Sequence, residues 1–250
     1  MLLLAISAKN QFVPAAPICY KTFMFDVEAL ETSLDERGYY RAGRVLDDAA
    51  CSELIQTYGD DARFRSRVVM ERHNFGRGEY KYFADPLPQR IQTLRETAYP
   101  ALAAIANKWM DRMRVQLRYP DQLDAFLERC AQAGQKRPTP LILRYDAGGY
   151  NCLHQDLYGE LMFPLQMVIM LSDSEREYEG GELVLVEQRP RMQSKPNVIR
   201  ATRGEAIVFS TNERPVRGRL GYYRVKMRHG VSEITRGERY ALGIIFHNAA

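Results

Sequence analysis

The segment FPLQMVIMLSDSEREYEGGELVLVEQ (residues 163–188) decides how the second half of the chain folds. An apolar run, a polar stretch ending in two glycines and a second run with alternating apolar residues read as strand, turn and strand. The same rhythm continues on both sides. LILRY precedes it, and EAIVFS, YYRVKMRHGV and RYALGIIFH follow, each bounded by turn-forming residues. That spacing is the pattern of an antiparallel sandwich or barrel.

Upstream of GQKRPTP (residues 134–140) the pattern is helical. LDDAACSELIQTYGD offers Asp47 as N-cap, Ala50, Leu54 and Tyr58 at helical spacing, and Gly59 as the stop. LPQRIQTLRETAYPALAAIANKWMDRM places Ile91, Leu94, Leu102, Ile105, Trp109 and Met113 close to a 3.6 period. Pro88 suits its first turn, and Pro100 is a point of splitting or kinking. PDQLDAFLERCAQAG gives a third helix that stops at Gly134. The expectation is an α+β, β-dominated chain. Residues 25–137 form a mainly helical support region, and residues 138–250 form a β-domain packed with it as one compact unit. Residues 1–24 are expected to be disordered, or to precede a true start near Met24.

A chain of 250 residues, 46% hydrophobic, buries enough apolar surface to fold without disulfides or a structural metal. Its net charge of +4 does not by itself indicate nucleic acid. Cys19, Cys51, Cys130 and Cys152 include no CxxC pair, which argues against a zinc ribbon or redox motif. They read as reduced thiols of a cytoplasmic protein. The opening MLLLAISAKNQF is too short to span a bilayer and lacks the basic residue that precedes a signal-peptide core, so no membrane attachment is expected. No P-loop, dinucleotide fingerprint or Ser/His/Asp arrangement is present.

Four histidines remain to be placed. His154 and Asp156 are i and i+2, so on an extended segment both side chains face one way. His229 closes a later strand, 73 residues after Asp156. Two imidazoles and one carboxylate match the facial set that holds a non-haem Fe(II) and leaves other coordination positions open. Zinc would call for a fourth protein ligand or a cysteine-rich set. His247, three residues from the last residue, is a reserve third ligand, and His73 reads as a non-ligand. Arg239 heads an apolar strand, where an unpaired guanidinium is costly to bury. A salt bridge to Glu205 or Glu213 would satisfy it, and so would the distal carboxylate of a bound diacid.

The pieces LRYDAGGYNCLHQD, VIMLSD, EGGELVLVE, RGEAIVFS and RHGVSEITRGERYALGIIF, in this order, resemble the Fe(II)/2-oxoglutarate-dependent oxygenases, prolyl 4-hydroxylase-like branch. The resemblance covers about residues 141–248. It implies a double-stranded β-helix, or jelly roll, with His154, Asp156 and His229 as iron ligands and Arg239 on the distal carboxylate of 2-oxoglutarate. Tyr145 corresponds to a tyrosine that helps hold the cosubstrate, though a core aromatic is an equal reading. O₂ would be the co-substrate, and succinate, CO₂ and a hydroxylated C–H bond the products.

The sequence also resembles bacterial oxygenases classed as acting on damaged nucleic acid, some of whose relatives remove N-methyl groups from bases. It departs from the alkylation-repair pattern, because RYALGIIFHN has no second arginine. Prolyl or other protein side-chain hydroxylation therefore stays open, as does a non-catalytic jelly roll that binds a metal or small ligand. Residues 189–239 hold 13 Lys or Arg and four acids, a field suited to phosphate. Within it, Arg224, Lys226 and Arg228 alternate with Val225, Met227 and His229, so they are expected to point away from the metal. RPRMQSKP and RPVRGR read as exposed loops near the mouth. Tyr150, Tyr158, Tyr222 and Tyr223 are candidates for stacking on a base or proline, or for packing.

Overall fold

The computed structural model describes residues 24–157 and 159–250, and the expectations for residues 1–23 and Tyr158 lie outside these. In chain order the elements are α1 (Val27–Arg37), β1 (Tyr39–Arg44), α2 (Asp48–Thr57), β2 (Phe64–Val69), β3 (Gly76–Arg77), β4 (Glu79–Phe83), α3 (Gln89–Met113), α4 (Leu123–Gln132), β5 (Leu141–Asp146), β6 (Tyr150–His154), β7 (Leu165–Met170), β8 (Tyr178–Gly180), β9 (Leu183–Gln188), β10 (Lys195–Ile199), β11 (Glu205–Ser210), β12 (Glu213–Gly218), β13 (Gly221–Val231) and β14 (Ile234–Ile244).

Two antiparallel sheets form the body. One runs β1-β11-β7-β14-β5-β4-β2, with β8 beside the start of β14; the other runs β10-β9-β13-β6-β3, with β12 beside β13. Side-chain alternation divides the core into two layers. Leu242 and Ile244 on β14 join Ile142, Val208 and the buried face of α3 on one side of the first sheet. Ala241, Ile207 and Phe209 meet Leu185 and Met227 of the second sheet on the other. The first sheet is thus covered on both faces. That is why β11, EAIVFS, is buried at every position rather than at every second one.

The helices follow their sequence signals. The Asp47 carboxylate accepts the Ala50 amide at 2.7 Å and caps α2. Gly134 takes a left-handed φ of 82° just past α4, the conformation that favours glycine. Pro100 does not split α3, which is continuous from Gln89 to Met113. Pro100 and Glu96 are both exposed, so the carbonyl that the proline leaves without an N–H faces water.

The helical reading of residues 25–137 omits β1 to β4, which pair directly with later strands: β1 with β11, β4 with β5 and β3 with β6. RPVRGR and RPRMQSKP are not simply loops. The first lies in β12, where Arg214 is fully buried, pairs with Glu187 and donates to the Asp35 carbonyl at the end of α1. The second runs into β10. Both are edge strands, where Pro215 and Pro196 lose no ladder bond that the sheet needs. Among the described residues, no helix is long and apolar enough to cross a membrane.

Candidate active site

β6 and β13 run antiparallel, and the register sets His154 directly opposite His229. On β13 Val225, Met227 and His229 are buried while Arg224, Lys226 and Arg228 are exposed, so the basic residues do face away from the site. β6 ends at His154, and two residues later the chain returns the Asp156 carboxylate to the pair. His154 Nε2 is 3.4 Å from Asp156 Oδ1, and His229 Nε2 is 3.3 Å from Asp156 Oδ2. The ring centres are 4.2 Å apart. One ligand atom from each residue lies within 4.8 Å of the others, so all three converge on one point.

Local bonds orient the donors. His154 Nδ1 lies 2.8 Å from the Cys152 carbonyl, which favours the proton there and leaves Nε2 free toward Asp156. Burial opposes ionisation of the Asp156 carboxyl, yet His229 and His154 outweigh it and hold the group well below the usual carboxylate range. Burial also opposes charging His154, but Asp156 prevails and raises its pKa. In the fully enclosed His229 burial prevails, lowering the pKa despite the same carboxylate. An ionised carboxylate between two imidazoles is the donor chemistry that a divalent cation needs.

Arg239 enters from the other sheet. It is 1% exposed, lines the same pocket as the triad and lies over the ring of its cross-strand partner Tyr145, 5.4 Å from the centroid. Neither alternative partner is available: Glu205 is held by Arg41 at 2.7 Å, and Glu213 lies 3.4 Å from Arg224. Among the described residues Arg239 makes no ion pair, and its Nε has no hydrogen-bond partner. Gly181 makes room for it, since a Cβ there would sit 2.8 Å from Arg239 Cδ. Tyr145 is fully buried and does not line the pocket. Its hydroxyl lacks a hydrogen-bond partner, and burial raises its pKa, so it stays a donor.

The pocket between the sheets measures about 380 Å³, in the range of small-molecule sites. Sequence reasoning missed several of its residues. Gln166 is a buried polar side chain in an apolar strand, with its amide nitrogen 3.1 Å from His229 Nε2 and its oxygen unpartnered. A lone glutamine within PLQMVIML was the available signal. Tyr80 and Tyr82 line the wall at i and i+2 of β4, an alternation visible in EYKYF. His247 is not part of the convergent set: its Nδ1 accepts the Phe163 amide at 3.2 Å, and burial pushes its pKa down to about 4. His73 stacks on Phe75 outside the triad.

Comparison with known proteins gives the class. Residues 78–249 match the family described as oxygenase, catalysing oxidative methylation of damaged DNA. The chain belongs to this oxygenase family and is an enzyme, so the reading as a non-catalytic binding protein falls away. It is 49% identical over 190 residues to an uncharacterized protein of Mycobacterium tuberculosis strain H37Rv, covering 76% of this chain and 79% of that protein. Two solved structures share the fold. A Pseudomonas putida prolyl-4-hydroxylase has a TM-score of 0.52 at 14% identity, covering 90% of this chain and 100% of that one. A 2OG-Fe(II) oxygenase-family oxidoreductase from Burkholderia pseudomallei has a TM-score of 0.50 at 18% identity, covering 90% and 92%.

Proposed function

We propose that the protein is an Fe(II)- and 2-oxoglutarate-dependent dioxygenase that oxidises a C–H bond in damaged nucleic acid. Its two sheets would be the walls of a double-stranded β-helix. Residues 25–137 and 138–250 make one folding unit, because β1, β3 and β4 are stitched into both sheets. A cytoplasmic placement accords with Cys51, Cys130 and Cys152, all free thiols.

The observation that carries this reading is Arg239, a buried guanidinium without a carboxylate partner among the described residues, on the wall of the pocket that holds the triad. Burying such a charge unpaired costs several kcal/mol, so a bound anion is its natural complement. His154, Asp156 and His229 would hold the iron, and Arg239 would take the distal carboxylate of 2-oxoglutarate through its fork of N–H donors. Tyr145, buried behind the pocket wall, packs its ring on the guanidinium and so positions it. When bound, the iron supplies O₂ activation coupled to oxidative decarboxylation of 2-oxoglutarate. In the balance, one oxygen atom of O₂ enters succinate and the other enters the substrate C–H bond. A hydroxylated N-methyl group then leaves as formaldehyde.

Nucleic acid is favoured by the family description and by charge. Arg191, Lys195, Arg217 and Arg219 make no ion pair among the described residues. The absence of a second arginine in RYALGIIFHN keeps protein side-chain hydroxylation as the second reading. The test is aerobic incubation of the protein with Fe(II), 2-oxoglutarate and a single-stranded oligonucleotide bearing an N-methylated base. Succinate and formaldehyde in equal amounts, abolished by His154→Ala, are expected. Turnover of a proline-containing peptide and not of the oligonucleotide would transfer the assignment to the second reading.

A further inference from the structure

The segment ERHNFGR (residues 71–77) has no part in the chemistry above, yet it reaches the pocket. Phe75 lines the same pocket as the triad and is 46% exposed, so it stands where the pocket opens to solvent. A large aromatic left half in water at a pocket rim is a contact surface in waiting. Its ring stacks on His73, with centroids 5.3 Å apart and planes at 23°.

The chain holds Phe75 firmly in place. Its amide donates to the Met70 carbonyl at 3.1 Å, and its carbonyl accepts the Cys152 amide at 2.8 Å. Cys152 lies on β6, two residues before His154, so the aromatic is tied to the strand that carries the triad. Gly76 packs on the Tyr150 carbonyl so closely that no side chain would fit, and Asn74 turns the chain with a left-handed φ of 58°. Arg72 and Arg77 flank the pair, both exposed and without an ion-pair partner among the described residues. Asn74, Asn151 and Gln166 bring side-chain amides to the pocket wall.

We propose that Phe75, backed by His73 and flanked by Arg72 and Arg77, is a stacking platform for a base of single-stranded nucleic acid entering the active-site pocket. This rests on the nucleic-acid reading given above. Each element has its chemical counterpart: a flat apolar ring for the base face, cations for the neighbouring phosphates, and amides for base edges. A prolyl residue shares only the first, because it brings neither phosphates nor a hydrogen-bonding ring edge.

The test is fluorescence anisotropy with a labelled single-stranded oligonucleotide containing one N-methylated adenine, on full-length protein loaded anaerobically with Fe(II) and 2-oxoglutarate. Phe75→Ala is expected to weaken binding by about 5- to 150-fold, the range for loss of one base–aromatic stack. Phe75→Trp should retain it. Arg72→Ala with Arg77→Ala should reduce the slope of log affinity against log salt by about 1–2, while Phe75→Ala leaves that slope in place. In all variants the visible band of the iron–2-oxoglutarate complex should be unchanged. Unaltered oligonucleotide binding in Phe75→Ala would overturn the platform, and so would loss of the band together with binding. Binding of a proline-rich peptide in place of the oligonucleotide would overturn the substrate class. A wild-type protein with no band would instead defeat the oxygenase reading itself, a separate failure.

Discussion

Arg239 and Tyr145 are direct cross-strand partners on β14 and β5, and both are buried. The guanidinium lies over the ring, while the tyrosine hydroxyl and Arg239 Nε find no hydrogen-bond partner. A permanent cation on the pocket wall, with no ion pair among the described residues, makes a receptor for a carboxylate. Arg239→Ala should raise the 2-oxoglutarate requirement by about 30-fold or more, since truncating one side of a buried charge pair costs about 2–5 kcal/mol. Iron binding should survive. Tyr145→Phe keeps the ring against the guanidinium and should change the requirement by no more than about threefold. Titration of the visible band with 2-oxoglutarate measures both, and equal loss of iron and cosubstrate in Arg239→Ala would make Arg239 purely structural.

His229 and His247 offer a direct contrast. His229 converges with His154 and Asp156, whereas His247 is occupied by the Phe163 amide. His229→Ala and Asp156→Ala proteins should retain no Fe(II) after desalting, and His247→Gln protein should retain one equivalent. Metal analysis decides it, and iron loss in His247→Gln would return that residue to the ligand set.

His247 also predicts a pH effect. Its folded pKa is about 4, against an ordinary 6.5, so the unfolded chain binds the extra proton between those values. Its contribution to stability is therefore complete above pH 6.5 and is lost as pH falls toward 4. The expected loss is on the order of 3 kcal/mol. Denaturant melts of the metal-free protein between pH 7 and 4 should show a shallower decline for His247→Gln than for the wild type. Parallel declines would contradict the assignment.

The Arg214–Glu187 pair is enclosed between β12, β9 and the end of α1, with Arg214 also donating to the Asp35 carbonyl. Arg214→Met leaves Glu187 buried with Arg189 as its remaining partner and should cost about 3 kcal/mol. Replacing both with Arg214→Met and Glu187→Leu should cost less than the single change, because no charge is then stranded. Denaturation midpoints test this, and additive losses would show that the pair is not coupled.

The legible parts of the sequence are those in which a local pattern maps onto one face. His154 and Asp156 share a face because they are two residues apart. His229 is legible because β13 alternates through residues 224–229, and Arg239 because a guanidinium beside the apolar run of β14 demands a partner. β10 and β12 were hidden by Pro196, Pro215 and their charges, which imitate loop composition but belong to sheet edges. β1 and β3 were hidden because their pairing partners lie more than 70 residues away in sequence, where no local period reports them, and β2 and β4 because their hairpin is short and rich in charge. Phe75 was hidden for another reason: nothing in ERHNFGR says that the segment folds back onto β6.

The most direct measurement is anaerobic addition of 2-oxoglutarate to the Fe(II)-loaded protein, followed by visible absorption. A weak charge-transfer band that saturates at one equivalent and is absent in His154→Ala is expected. No band in the wild-type protein, together with no succinate on admission of air, would contradict the oxygenase reading.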